Sequence, residues 1–215
     1  MKIGIIGAGS MGSALGKIWA MQGHHVEFSF TRDPNKLARI VEEIGLDTQV
    51  ATPADAVRNS DVILIAVWPD ALETALREAG SLSGKVVITC VSGLKPDMSG
   101  GTIGLPTDLT ISMAEKIATL SPDAKVVEAF NTTFAEILAA PSRDFNGERP
   151  SVFYCGDDAS AKVIVKGLVE ECGYQAVDAG SLHSARALET LATAWVQFAV
   201  VAGLFPNLGL KALRW

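Results

Sequence analysis

Gly7, Gly9 and Gly12, in "IIGAGSMGSALG", are spaced G-x-G-x-x-G directly after an apolar run that begins at Lys2 and directly before a helix-like segment from about Met11. In that setting each glycine has its own physical role. The first makes a tight turn, the second lets backbone approach a pyrophosphate, and the third lets the helix lie close to the strand. A helix starting there points free N–H groups and the positive end of its dipole at the anion. Ala8, Ser10 and Met11 stand among these glycines and are expected at the edge of the same site. Gly16, one turn further on, is expected to ease helix packing rather than to touch a ligand. The chemistry this pattern serves is the binding of a dinucleotide.

Which dinucleotide is read from "FSFTRDPNK", Phe28 to Lys36. An NAD site usually places an acid at the end of the second strand to bind the ribose hydroxyls. Here Thr31 and Arg32 come first, and a hydroxyl with a planar guanidinium fork suits a 2′-phosphate. Lys36 follows on the next helix and can return to the same phosphate. Asp33 can be read as a ribose ligand, but before Pro34 it fits better as a helix N-cap or as a partner orienting Arg32. NADP(H) is therefore the expected cofactor.

These residues need a scaffold. Short β-branched runs alternate with helix-period segments almost to the end: "KIGII", "HVEFSF", a short strand near Thr48, "DVILIAV", "KVVIT" and "KVVEAF". Such alternation predicts an α/β fold, a Rossmann-type doubly wound parallel sheet. A small C-terminal α/β extension should follow, with a strand at Ser151 to Cys155, the strand "QAVDAG" and a long helix from about Leu182 to Ala202. We expect residues 1–140 to be the nucleotide-binding domain and residues 141–215 an extension packed on it. Ligands of such sheets lie beyond the carboxyl ends of the strands, so the nicotinamide half should reach Ala66, Val67 and Trp68, then Val91 and Ser92, then Ala129, Asn131 and Thr132. The glycine-rich stretch from Val91 to Leu109 is a candidate lid. The apolar final helix and tail are expected to cover an acceptor site, with Phe205, Pro206 and Leu208 near it, or to pack across a two-fold homodimer.

Bulk properties set limits. With 215 residues, 48% of them hydrophobic, and a net charge of -6, the chain can bury a sizeable core and lacks the basic surface of a general nucleic-acid binder. Three cysteines without a C-x-x-C pair and three scattered histidines argue against a disulfide framework or a metal site. The run from Ala192 to Phe205 is interrupted by Gln197 and is too short to span a bilayer, and the chain opens on a strand rather than on a signal segment, so a cytoplasmic protein without membrane contact is expected.

Near the expected nicotinamide there is no His-Asp pair and no Ser-Lys arrangement. His183 is the one plausible proton donor, and a surface position is the commoner outcome for it. Cys90 is expected to be inert, and Glu136, Glu189 and Asp178 structural or solvent-facing. Hydride transfer to a small-molecule acceptor at this site would rest on positioning and exclusion of water rather than on a protein acid or base.

The stretches "IGIIGAGSMGSALG", S-x-T-R, "VILIAVWPDAL", "KVVEAFNT", "VFYCGDDASAK" and "GYQAVDAGSL" together resemble the coenzyme F420-dependent NADP oxidoreductase family, and are similar to the reductase domains of the membrane-bound flavin-using metalloreductases. The resemblance runs from Lys2 to about Glu189. It implies NADPH on the Gly7 to Gly12 loop and a flavin or deazaflavin (F420) stacked near Asn131. The segment from Val91 to Thr110 departs towards the metalloreductase-like and bacterial relatives, which leaves the acceptor open. An imine or carbonyl reductase and a non-catalytic NADP(H) sensor are the alternatives.

Overall fold

The computed structural model describes residues 1–93 and 110–213. The chain alternates β1 (Lys2–Ile6), α1 (Ser10–Met21), β2 (His25–Ser29), α2 (Pro34–Ile44), β3 (Thr48–Val50), α3 (Pro53–Asn59), β4 (Val62–Ile65), α4 (Leu72–Ala79) and β5 (Val86–Thr89). It continues with α5 (Met113–Leu120), β6 (Lys125–Glu128), α6 (Ala135–Ala139), β7 (Ser151–Gly156), α7 (Ala159–Glu171), β8 (Gln175–Asp178) and α8 (Ala185–Val201). Most of the expected lid, residues 94–109, lies outside the described residues.

The eight strands form one sheet in the order β3-β2-β1-β4-β5-β6-β7-β8. All neighbours are parallel except β6 and β7. The order turns back between β1 and β4, the switch point at which a doubly wound sheet opens a crevice. The register sharpens this: Ser29, Ile6, Ile65, Thr89 and Glu128 pair in succession across β2, β1, β4, β5 and β6. The ends of five strands therefore lie level, and the loops leaving them face one ledge. β7 and β8 continue the sheet beyond residue 140, across the irregular stretch that follows α6.

Alternation along the strands builds a core on each face. Ile3 and Ile5 of β1 join Leu15, Trp19, Phe28 and Phe130 on one side, while Ile6, Ile63 and Ile65 join Leu72, Leu76 and Ile117 on the other. Gly16 lets α1 settle on the sheet, because a Cβ there would stand 2.4 Å from Ile5 and 2.5 Å from Phe28 side-chain atoms. The second strand stops at Ser29, one residue short of expectation, since Phe30 turns into the left-handed region at φ 57°.

Asp33 caps α2: its Oδ1 accepts from the Asn35 N–H at 3.0 Å, and Gly45 closes the helix in the left-handed conformation. The capping reading is thereby separated from the Arg32-orienting one, because Arg32 pairs with Asp70 whereas Asp33 pairs with Arg39. Asp33→Ala should lower stability by about 1 kcal/mol, the usual cost of losing an N-cap, and thermal unfolding with and without NADPH would measure it.

Candidate functional site

A cavity of about 640 Å³ lies on the ledge formed by the level strand ends. Its first wall is the turn between β1 and α1. Gly7 holds φ 109°, and a Cβ there would meet the Ala66 carbonyl oxygen at 2.4 Å, so only glycine lets β1 and the β4 loop close together. Gly9 differs: a Cβ on it would meet nothing within 4 Å, so its bare backbone faces open space. Gly9 is also the N-cap of α1, it supplies no side-chain cap, and the first turn carries no acid. The amides and dipole of α1 are thus left for an anion brought to that spot. Gly12 stays outside the cavity lining, and a Cβ on it would fall 2.0 Å from the Gly7 carbonyl oxygen, which makes it the contact between helix and turn.

At one end of the cavity stand Thr31, Arg32, Asp33 and Lys36. The Arg32 side chain is 84% exposed, with Asp70 at 3.6 Å across the mouth. An ion pair that open to water is worth little, so Arg32 is available to a stronger anion. A donor set of one hydroxyl, one guanidinium and one ammonium fits a phosphate. Together with the glycine turn, these residues suit a dinucleotide bearing a 2′-phosphate.

The other end is lined by Ala66, Val67 and Trp68 from the β4 loop, Cys90, Val91 and Ser92 from the β5 loop, and Asn131 from the β6 loop. Trp68 is 58% exposed, a large apolar face held out at the rim. Ala8, Ser10 and Met11 also line the cavity, whereas Ala129 is fully buried and Thr132 borders a separate small pocket on the far side of the β6 loop.

The lining also includes Phe30 and, from the strand-end stretches expected to meet the nicotinamide, Pro69, Ala71, Phe130 and Thr133; sequence reasoning did not place Phe134, Ala135 and Val196 there. Phe130, at φ 67°, mirrors Phe30 at the end of the neighbouring half of the sheet and stacks edge-on with Trp19 at 6.1 Å. Two bulky residues in the left-handed region at the mouth of one cavity are strain of the kind that marks functional loops. Val196 brings α8 to the cavity, Phe134 carries Phe205 edge-on at 5.1 Å, and Phe198 and Val201 of α8 remain exposed.

His183 is exposed, lies 3.5 Å from Glu115, and does not line the cavity. The Cys90 thiol does line it, but burial pushes its pKa up to about 12, so it stays protonated and unreactive.

Behind Asn131 the end of β6 and the facing side of α8 hide two acids. Glu128 ends β6 with no exposure, and the Asn131 Nδ2 donates to its Oε1 at 2.5 Å. Glu189 of α8, expected to be structural or solvent-facing, is buried: the Met113 and Ala114 N–H groups at the start of α5 donate to its Oε1 at 2.6 and 3.3 Å. Burial, and then the neighbouring charge of Glu189, raise the Glu128 carboxyl well above the usual carboxylate range. The start of α5 is further tied to α8 by Arg186, which donates twice to Glu115 at 2.7 Å.

Among the described residues no group of three or more His, Cys, Asp or Glu is placed to hold a metal ion, and no helix is long and apolar enough to cross a membrane.

A doubly wound sheet whose glycine turn, helix terminus and strand ends share one cavity has the architecture of a dinucleotide-binding protein. Residues 2–93 match the family described as NADP oxidoreductase coenzyme F420-dependent. A crystal structure from Arthrobacter sp. FB24, of a candidate F420-dependent NADP-reductase, superposes over 100% of both chains with a TM-score of 0.86 at 30% identity. The chain belongs to this NADP-dependent oxidoreductase family.

Metalloreductase STEAP3 of Rattus norvegicus is 31% identical over 190 residues, which is 88% of this chain and 36% of that protein, so the chain spans about a third of that relative's length. A reductive aminase from Aspergillus terreus, solved with NADPH4, cyclohexanone and allyl amine, shares the fold at 21% identity and a TM-score of 0.66, over 94% of this chain and 62% of that one.

Proposed function

We propose that the protein transfers hydride between NADP(H) and a small flavin or deazaflavin acceptor. The observation that carries this reading is the make-up of the cavity's inner end. Among the described residues it offers aromatic and aliphatic faces from Trp68, Phe134 and Val196, with Cys90 protonated, and no histidine, lysine or carboxylate. Such a wall suits a planar ring that is reduced by alignment alone, and offers neither the base that oxidation of an alcohol needs nor the proton donor that reduction of a carbonyl or imine needs.

In this reading Gly7 to Met11 and the start of α1 hold the pyrophosphate, and Thr31, Arg32 and Lys36 hold the 2′-phosphate. Ala66 to Trp68, Val91, Ser92 and Asn131 confine the nicotinamide. NADPH bound in this way supplies the hydride. Trp68 and Val196 keep water from the reacting faces, and the strand-end ledge fixes the distance between the rings. The thiol of Cys90 and the hydroxyl of Thr133, which shares a 2.8 Å hydrogen bond with the Tyr174 hydroxyl, contribute polarity without proton transfer.

The test is to follow loss of reduced-nicotinamide absorbance with FMN, riboflavin, F420 and a panel of imines and carbonyls. Turnover confined to the flavin-like acceptors is expected. Turnover with imines or carbonyls alone would replace this reading by a reductase of those groups, and tight NADPH binding with no turnover at all would make the protein a sensor.

A further inference from the structure

Asn131 lines the cavity, yet it is 8% exposed and its Oδ1 is buried with no hydrogen-bond partner. An orphaned acceptor in a native cavity calls for a donor. Which amide atom is left free is decided behind Asn131. Glu128 Oε2 and Glu189 Oε2 are both buried without a hydrogen-bond partner, and the charge of Glu189 bears on Glu128. Two neighbouring buried carboxylates resist being ionised together, so one proton between them is the favoured state.

Its place follows from the surroundings. Glu189 already accepts two backbone N–H groups at the N-terminus of α5, where a negative charge is stabilised, and so it is the anionic member. Glu128 is then the neutral acid: it donates its hydroxyl to Glu189 and keeps a carbonyl-type oxygen that accepts the Asn131 Nδ2. The amide nitrogen is engaged, and the carbonyl oxygen is what Asn131 has left to offer.

We propose that Glu128 and Glu189 are positioning residues that fix Asn131 with Oδ1 as its free acceptor, so that the nicotinamide end of the cavity prefers a ring substituent carrying an N–H donor. This rests on the reading that NADP(H) occupies the cavity. The carboxamide of nicotinamide carries the required NH₂ group, whereas an acetyl group of the same shape does not.

The test compares the Kd of NADP⁺ with that of its 3-acetylpyridine analogue, using the full chain and adenosine 2′,5′-bisphosphate as a probe of the adenosine half alone. The wild type should favour NADP⁺ by roughly tenfold, the discrimination expected when a buried acceptor is left unpaired. Glu128→Leu and Asn131→Leu should bring the ratio to near one while the bisphosphate binds as before, which also shows that the variants are folded. Glu128→Gln should restore the preference, because its amide can accept from Asn131 and donate to Glu189. A wild-type ratio near one, or a tenfold ratio that survives Glu128→Leu, overturns the proposal. Failure of NADP⁺ to bind the wild type, with the bisphosphate bound or not, overturns the functional reading and this inference with it.

Discussion

Arg32→Ala is expected to raise the Kd for NADPH by roughly 10- to 100-fold and to leave NADH binding nearly unchanged, since hydrogen bonds to a charged group are typically worth about 1.5–3 kcal/mol and each factor of ten is about 1.4 kcal/mol. The side chain is free to act in this way. It is 84% exposed, and the acid it pairs with, Asp70 at 3.6 Å, is itself 74% exposed, so little is lost when the guanidinium turns to a phosphate. Lys36 lines the same end of the cavity and should supply a second, smaller share. The double variant should therefore bind the two dinucleotides about equally well. Titration at one fixed ionic strength decides it, because added salt screens exposed charges and shrinks the difference. If NADH bound the wild type as tightly as NADPH, and Arg32→Ala changed neither, the 2′-phosphate assignment would fail.

The parts of this prediction are legible in the sequence because they sit within one strand-turn-helix segment where local rules decide. Pro34 starts α2, so the acid before it becomes the cap, and Thr31 and Arg32 are left at the turn. The glycine roles are legible for the same reason: a turn that needs φ 109°, a helix pressed onto Phe28 and an N-cap without a side chain are all local demands. The doubly wound, largely parallel sheet follows from the alternation of runs, but the antiparallel pairing of β7 with β6 does not. What could not be read depends on contacts between distant segments. The run "KVVEAF" reads as strand through Phe130, but the strand ends at Glu128, since Trp19 of α1 and the β6 loop hold Phe130 at a positive φ that its own sequence disfavours. Glu189 occupies a helix whose polar positions look solvated; it is buried because α5, far away in sequence, offers two N–H groups to it. Val196 enters the cavity only through the docking of α8.

The glycines of the loop should separate binding from folding. Gly9→Ala is expected to leave stability within about 0.5 kcal/mol of the wild type, as for a surface substitution away from special features. Gly9 has φ -74° and ψ -168°, which alanine adopts without strain, and the new methyl would meet nothing within 4 Å. That open space is where the pyrophosphate is proposed to lie, so the methyl should occupy it, and the Kd for NADPH should rise at least tenfold, a loss of about 1.4 kcal/mol or more. Gly12→Ala should behave in the opposite order. Its Cβ would fall 2.0 Å from the Gly7 carbonyl oxygen, a backbone atom that no rotamer change can move, and 3.1 Å from Ile5 Cγ2. Overpacking of this kind costs about 1–3 kcal/mol and more where the clash is with backbone, so thermal unfolding should shift before binding is ever tested. A Gly9→Ala protein that binds NADPH like the wild type would show that the phosphates do not cross the α1 terminus. A Gly12→Ala protein of unchanged stability would show that α1 can retreat from the turn, and the close seating of helix on strand would then be a preference of this chain rather than a requirement of its site.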